Sequence, residues 1–409
     1  MIEWSEQHLL IRDMMRRFIA AEIEPNRDAL EHGDLPPYGI LKKMMQAFGL
    51  DEVARQRFAK QIAREKAGET KPARAEGDGH DPGMQLIPII ELCRVCPGMV
   101  TAMGVSVGLT AQAILSKGTV AQKERWALDL LTLDTVGSWA ITEPGSGSDA
   151  FGGMQSSARR DGDEYVLNGS KTFITNGPYA DTIVFICKLD DGTTPVRDRK
   201  VLTFVLDRGM PGLEQSKPLR KMGMHSSPTG ELFLSDVRVG RDRLLGERED
   251  QPAGRSGAKA TFSMERSGVA AMALGIVEEC LQRSVEYART RVQFGRPIGE
   301  FQLIQLKLAQ MEVARMNLRN LVFRQIELAQ QGQGMTFAEA SACKLYAAQA
   351  AMHVALEAVQ VFGGNGYMAE YRVEQLCRDA KVLQIYAGTD EIQVNAIARS
   401  LLAGDGAAA

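Results

Sequence analysis

"EYVLNGSKTFITNG", Glu164 to Gly177, is the stretch on which the fold turns. It alternates apolar and polar residues and is rich in β-branched and aromatic side chains. It also carries Asn168-Gly169, a dipeptide that supplies the positive φ of a tight primed turn, so the spacing predicts a hairpin bending there. Similar short segments surround it: "GSWAIT" from Gly137, "DTIVFICKLD" from Asp181, "KVLTFVLD" from Lys200 and "GELFLSDVRV" from Gly230. Together they predict an antiparallel, barrel-like β domain over residues 133–245.

On either side the period is helical. Apolar residues recur every three or four positions in "LLIRDMMRRFIAAEI", "YGILKKMMQAFGL" and "QKERWALDLL", which predicts an N-terminal helical domain over 1–132. Within it, Arg64 to Gly83 is polar, punctuated by Gly and Pro, and reads as a long exposed loop. Beyond the strands, long helical patterns start at Ser263, Phe301 and Thr336, with a last helix after "GTDE". They predict a C-terminal antiparallel four-helix bundle over 246–409. The fold class is mostly α with a central β domain.

A chain of 409 residues is too long for one core. Hydrophobic residues at 44% and charged residues at 24% describe a globular protein, and a net charge of −3 argues against a nucleic-acid partner. The charged, amphipathic N-terminus does not resemble a secretory signal, and no stretch of about 18 apolar residues lacks a charge, so no membrane span is expected. Cys93 and Cys96 form a CxxC without a second pair, and the five histidines show no ligand spacing. The two thiols are read as packing residues, with no metal, in a reducing, cytoplasmic protein.

Two stretches can carry chemistry. "WAITEPGSGSDAFGG", Trp139 to Gly153, leads from a strand into a Gly/Ser loop whose backbone N–H groups can face an anion. "KTFITNG", Lys171 to Gly177, places Phe173 and Thr175 on one strand face, a pattern that by itself more often marks core and surface residues than a cofactor wall. Neither is a P-loop or a GxGxxG.

With "LNGSKTFITN", "ARTRVQFGRPIGEFQLIQ", "QVFGGNGYMAEYRVEQLCRDAK" and "IYAGTDEIQ" following in order, the chain resembles the acyl-CoA dehydrogenases over nearly its whole length. Members are FAD-dependent enzymes that place a double bond between Cα and Cβ of an acyl thioester, as in fatty-acid β-oxidation. The resemblance implies that Trp139, Thr142, Ser148, Phe173 and Thr175 line the flavin. Ser148 would also face the substrate. Arg291, Gln293, Phe294, Gln360 and Gly364 would reach the FAD of a neighbouring subunit, with Thr389 and Glu391 flanking the same cofactor. An arginine suits a diphosphate because its planar fork matches the oxygens, although Arg291 without the surrounding motif reads first as a solvated helix-end cation. The resemblance further implies a homotetramer and re-oxidation by an electron-transfer flavoprotein.

The reaction needs a base at Cα, and a carboxylate in a dry pocket suits it. Many members carry that carboxylate where this chain has Ala387. Asp390 and Glu391 read instead as helix N-terminal acids. Isovaleryl- and long-chain-type members place the base on an earlier helix, at the position matching Glu265. There Ser263 is expected to cap the helix and Glu265 to lie in its first turn, ahead of a small apolar face through Gly268, Ala271, Met272 and Gly275. The competing reading is an exposed first-turn acid. Ala387 keeps its backbone N–H, which in the family bonds the thioester carbonyl. Arg266, Tyr386 and Gly388 complete the expected substrate contacts.

The segment Asp51–Gly83 is longer and more basic than the short Gly-rich segment usual in the family, and reads as a solvated insertion or a lid. The rival functions are a same-fold acyl-CoA oxidase or flavin hydroxylase, and a non-catalytic acyl-CoA-binding relative.

Overall fold

The computed structural model describes residues 3–33, 35–69, 81–250 and 255–403; in the helix beginning at Arg255, it describes the side chains of Arg266 and of Gly268 onward. The N-terminal helices are α1 (Glu6–Phe18), α2 (Arg27–His32), α3 (Tyr38–Ala47), α4 (Leu50–Lys66), α5 (Gly83–Cys93), α6 (Pro97–Met103), α7 (Gln112–Lys117), α8 (Val120–Gln122) and α9 (Leu128–Leu131). Ser5 starts α1 with a reciprocal capping box to His8. α4 carries Arg64–Lys66, so the loop expected from Arg64 begins later; residues 70–80 of it lie outside those described. α6 and α7 are continuous through a π-helical segment. The resulting run, Pro97–Lys117, is long and apolar enough to cross a membrane by length and composition, contrary to expectation. Threonine, serine and glutamine interrupt its apolar residues, so it is not a continuous apolar stretch. Half of its most apolar window is buried inside the protein.

The sheet contains β1 (Gly137–Ala140), β2 (Ser157–Asp161), β3 (Glu164–Thr175), β4 (Thr182–Asp190), β5 (Val201–Asp207), β6 (Leu213–Gln215) and β7 (Thr229–Gly240). The strand order is β1-β4-β2-β3-β7-β6, with β5 on the other side of β4. Most pairs are antiparallel, but β1 and β2 both run parallel to β4. The hairpin expected at Asn168-Gly169 is not there. β3 runs straight through the dipeptide with a register break, and the Asn168 amide bridges to Asp236 of β7 at 2.9 Å in both directions. Gly169 has φ 147, and a Cβ there would lie 2.3 Å from Ser156 Oγ. The glycine therefore serves a bulge against a close neighbour. The actual turn is at Gly162-Asp163, between the paired Asp161 and Glu164.

The C-terminal part comprises α10 (Arg255–Thr290), a hairpin of β8 (Val292–Gln293) and β9 (Arg296–Pro297), α11 (Gln302–Gln330), α12 (Phe337–Phe362), α13 (Val373–Lys381) and α14 (Asp390–Ala403). One sequence expectation needs correction. Ser263 is inside α10 rather than at its cap, because helical backbone already begins at Arg255. The helix also stops at Thr290, where Phe294-Gly295, both at positive φ, turn the chain back as a hairpin.

The N- and C-terminal helices share one core. Met15, Leu41, Leu92 and Met99 belong to the same buried cluster as Ala273, Val277, Ala347 and Leu376. Helices α5 and α10 cross so closely that a Cβ on Gly275 would sit 2.2 Å from the Ile90 carbonyl oxygen. Gly275→Ala is expected to cost about 1–3 kcal/mol by forcing the two backbones apart, read as a lower midpoint in urea unfolding.

Candidate active site

β1 ends at Ala140 and the chain enters the Gly/Ser loop. Its anchor is Glu143, which is 5% exposed and ion-paired at 2.8 Å with Lys171 of β3, itself fully buried. The carboxylate also accepts the N–H groups of Gln155 at 2.6 Å and Ser156 at 3.0 Å, and Lys171 Nζ reaches Ile141 O at 3.0 Å. Burial pushes the Glu143 carboxyl up, but the Lys171 charge and these hydrogen bonds outweigh it, and the net shift is downward. Burial draws the Lys171 ammonium down against the pull of Glu143. With this root fixed, the tip is open: Ser148 is exposed, and a Cβ on Gly145 or Gly147 would meet nothing within 4 Å.

The Thr172 N–H donates to Thr142 O at 2.9 Å, which sets Thr142 beside the second break in β3. At that break Phe173 has φ 57 and is 68% exposed, while Thr175, beyond buried Ile174, is half-buried. The bulge turns an aromatic ring outward next to the open loop. Trp139, also half-buried, lies in β1 opposite Val184.

A second group forms where α10 meets the turn before α14. Arg266, 4% exposed, donates through Nε to Ala387 O at 3.4 Å and through Nη1 to Ser341 Oγ at 2.9 Å, and lies 4.3 Å above the Phe337 ring. Tyr386 Oη contacts Met272 Sδ at 3.4 Å. Ala387 adopts φ 54 and Gly388 φ 89. Lys344 of α12 and Gln393 of α14, both fully buried, donate to Gly388 O at 2.8 Å each, and Gln393 also reaches Ala387 O at 3.1 Å. Thr389 accepts the Ile392 N–H, and Asp390 and Glu391 open α14 as first-turn acids. Glu265 sits in α10 one residue before Arg266; its side chain lies outside the described residues.

A third group is exposed. Arg291, Gln293 and Phe294 occupy the β8–β9 hairpin, with Phe294 93% exposed. Gln360 and Gly364 are exposed at the end of α12. Tyr287 brings these together: it stacks on Phe362 at 4.1 Å, accepts from Asn365 at 2.9 Å, and its carbonyl receives the Arg291 N–H at 2.8 Å. No hydrogen bond or ion pair among the described residues links this group to Thr142 or Phe173.

The three parts are tied by α13. Buried Asp379 accepts the Met224 N–H, and Arg378 bonds Met222 O at 3.0 Å and Glu31 at 2.9 Å, joining all three regions. Burial, and then the charge of Glu31, pushes the Asp379 carboxyl up to about 7. Cys93 and Cys96 are core residues, with Cys96 donating to Ser226 Oγ at 3.0 Å. Sequence reasoning passed over Glu143, Lys171, Lys344 and Gln393. A lysine at an inward strand position, as Lys171 is, was the one available signal.

Comparison with known proteins agrees with this arrangement. Family models described as the N-terminal, middle and C-terminal domains of acyl-CoA dehydrogenase match residues 5–134, 138–237 and 253–402. An acyl-CoA dehydrogenase of Bacillus subtilis is 37% identical, covering 98% of this chain and 99% of its own. The solved butyryl-CoA dehydrogenase of Megasphaera elsdenii superposes with a TM-score of 0.82 at 34% identity, over 98% of this chain and 100% of that one. A chain from a structure titled as the electron transferring flavoprotein of Acidaminococcus fermentans also gives 0.82, at 33% identity, over 98% and 99%.

Proposed function

Because the chain belongs to the acyl-CoA dehydrogenase family, we propose the following division of labour among its residues. The protein is an FAD-dependent oxidoreductase that desaturates acyl-CoA thioesters between Cα and Cβ. Its residues fit the cofactor: an open Gly/Ser loop rooted by Glu143–Lys171, an exposed ring at Phe173 beside Thr142, and an exposed arginine at Arg291. Thr142, Ser148, Phe173 and Thr175, with Trp139 behind them, would hold the flavin end. Arg291, Gln293, Phe294, Gln360 and Gly364 would meet the FAD of a second subunit, and Thr389 and Glu391 would border it. FAD, when bound, supplies the hydride acceptor for Cβ.

The remaining chemistry falls to the chain. Removing the Cα proton generates charge on the thioester oxygen, so a base and an N–H donor must act at one place. Glu265 takes the proton and the Ala387 N–H receives the oxygen. The observation that carries this reading is the Arg266–Ala387 contact. It places the helical turn bearing Glu265 against the turn whose own side chain, a methyl group, cannot accept a proton.

The test is anaerobic mixing of the FAD-loaded protein with straight, branched and ring-bearing acyl-CoA thioesters while following flavin absorbance. Bleaching by one class is expected, with the matching trans-2-enoyl-CoA as product. Reduction followed by rapid peroxide release in air would favour the oxidase reading, and no bleaching by any thioester would remove the dehydrogenase assignment.

The same proposal extends to partners. An electron-transfer flavoprotein is the expected acceptor, a link supported by the Acidaminococcus neighbour. Exposed Phe294, Leu303, Leu306 and Val313 support burial in a homotetramer. The apolar run Pro97–Lys117 is assigned to the interior rather than to a membrane, since Ser106 Oγ receives the Gly137 N–H of β1 at 2.9 Å. Five of the six thiols are buried and all are unpaired, which suits a cytoplasmic location.

A further inference from the structure

The turn at Ala387–Gly388 is gripped on one side only. Both of its carbonyl oxygens are engaged, Ala387 O by Arg266 and Gln393, and Gly388 O by Lys344 and Gln393. The N–H groups of Ala387 and Gly388 donate to no group among the described residues. A peptide unit is planar, with its C=O and N–H pointing in opposite directions. Fixing the two carbonyls therefore fixes the planes of the peptides that follow Ala387 and Gly388. Left-handed backbone at both residues is intrinsically disfavoured for alanine, so the turn needs such a grip to persist.

The donors are not surface groups. Lys344 and Gln393 are fully buried and Arg266 nearly so. Lys344 is also 3.4 Å from Asp390, which is held in turn by Gln384 at 3.1 Å. The Arg266 cation on Ala387 O polarises that peptide unit and strengthens the Gly388 N–H as a donor, while Lys344 on Gly388 O fixes the next peptide. Two cationic side chains from separate helices, α10 and α12, thus converge on one turn of two residues.

We propose that Lys344 and Gln393, with Arg266, are positioning residues for the reaction, clamping the Ala387–Gly388 turn from behind for the thioester oxygen: the grip on Ala387 O fixes the Gly388 N–H in the same peptide unit, and it holds the Ala387 N–H, which belongs to the preceding peptide, through the left-handed Ala387 backbone. This rests on the dehydrogenase reading above, but it concerns different residues and is open to separate measurement. Gln393→Met is the variant least disruptive to the fold. The Gln393 Oε1 atom has no partner among the described residues, so the methionine removes the clamping donor without orphaning a group bonded to that oxygen. Lys344→Met and Lys344→Arg form the second pair, the arginine restoring the charge.

Two readouts separate positioning from mere folding. The first is the absorbance of bound 4-dimethylaminocinnamoyl-CoA, a push–pull chromophore that shifts to the red as its carbonyl is hydrogen-bonded. The second is the rate of anaerobic flavin reduction against acyl-CoA concentration. Gln393→Met and Lys344→Met are expected to retain FAD, lose much of the red shift, and reduce about tenfold or more slowly with little change in half-saturating concentration. Lys344→Arg should recover part of both. A folded, FAD-bound Gln393→Met with wild-type shift and rate overturns the proposal, as does a lost rate with the shift intact. If wild type shifts the chromophore and Gln393→Met abolishes the shift, yet no thioester reduces either protein, the clamp stands and the dehydrogenase reading falls.

Discussion

Glu265→Gln is expected to keep its FAD and its fold while flavin reduction by substrate falls about a thousandfold or more. The amide is nearly isosteric with the acid but cannot accept the Cα proton. Ala387 offers nothing in its place, and the carboxylates that follow it in the chain are otherwise engaged. Asp390 is bound to Lys344, Gln349 and Gln384, and Glu391 opens α14 with its carboxyl lowered by a backbone N–H and by Thr389. Stopped-flow reduction with a thioester that bleaches the wild type is the check. Turnover within tenfold of wild type would remove Glu265 as the base. A double replacement, Glu265→Gln with Ala387→Glu, adds information: recovered reduction would show that the turn can still present a base to the same carbon.

Lys171→Met should destabilise the protein by about 3–5 kcal/mol, because it leaves Glu143 as an uncompensated buried carboxylate. The loss is expected to fall on cofactor retention too, since Glu143 also fastens Gln155 and Ser156 at the far root of the Gly/Ser loop. Chemical unfolding monitored by circular dichroism, with FAD content of the purified protein, tests both effects. Lys171→Met combined with Glu143→Gln should recover most of the stability, because a neutral amide is cheaper to bury than an unpaired charge. If the single and double variants are equally unstable, the ion pair is not the source of the loss.

The three-part order of helices, strands and helices was legible in the sequence because the hydrophobic period itself changes at about Gly137 and back at about Arg255. Local geometry was less so. Asn168-Gly169 and Gly162-Asp163 both look like turns, and the choice between them is made by Ser156, just before β2, and by Asp236 of β7. Ser263 looks like a cap only when the preceding residues are ignored; helical backbone from Arg255 overrides it. Within the site, Arg266 and the turn at Ala387 are 121 residues apart in the chain, and no periodicity relates them. Resemblance to a family named these positions, whereas Lys344 and Gln393 emerge only when the carbonyls they hold are seen in three dimensions.

The core shared by the first and last helices has a consequence for biosynthesis. Arg94, at the C-terminal cap of α5, bonds Glu278 of α10, 184 residues further along. At roughly 5–20 residues per second, the ribosome takes about 10–40 seconds to bridge that interval. Through it, the sheet's strands can pair and α1 can pack on α5, but the face of α5 that meets α10 has no partner to cover it. The nascent chain thus presents a sticky N-terminal third that only its own C-terminus can satisfy. Truncated translation products ending in the β region are the species a holding chaperone must capture, and their aggregation, rather than poor folding of the finished enzyme, would set the limit on yield during rapid expression.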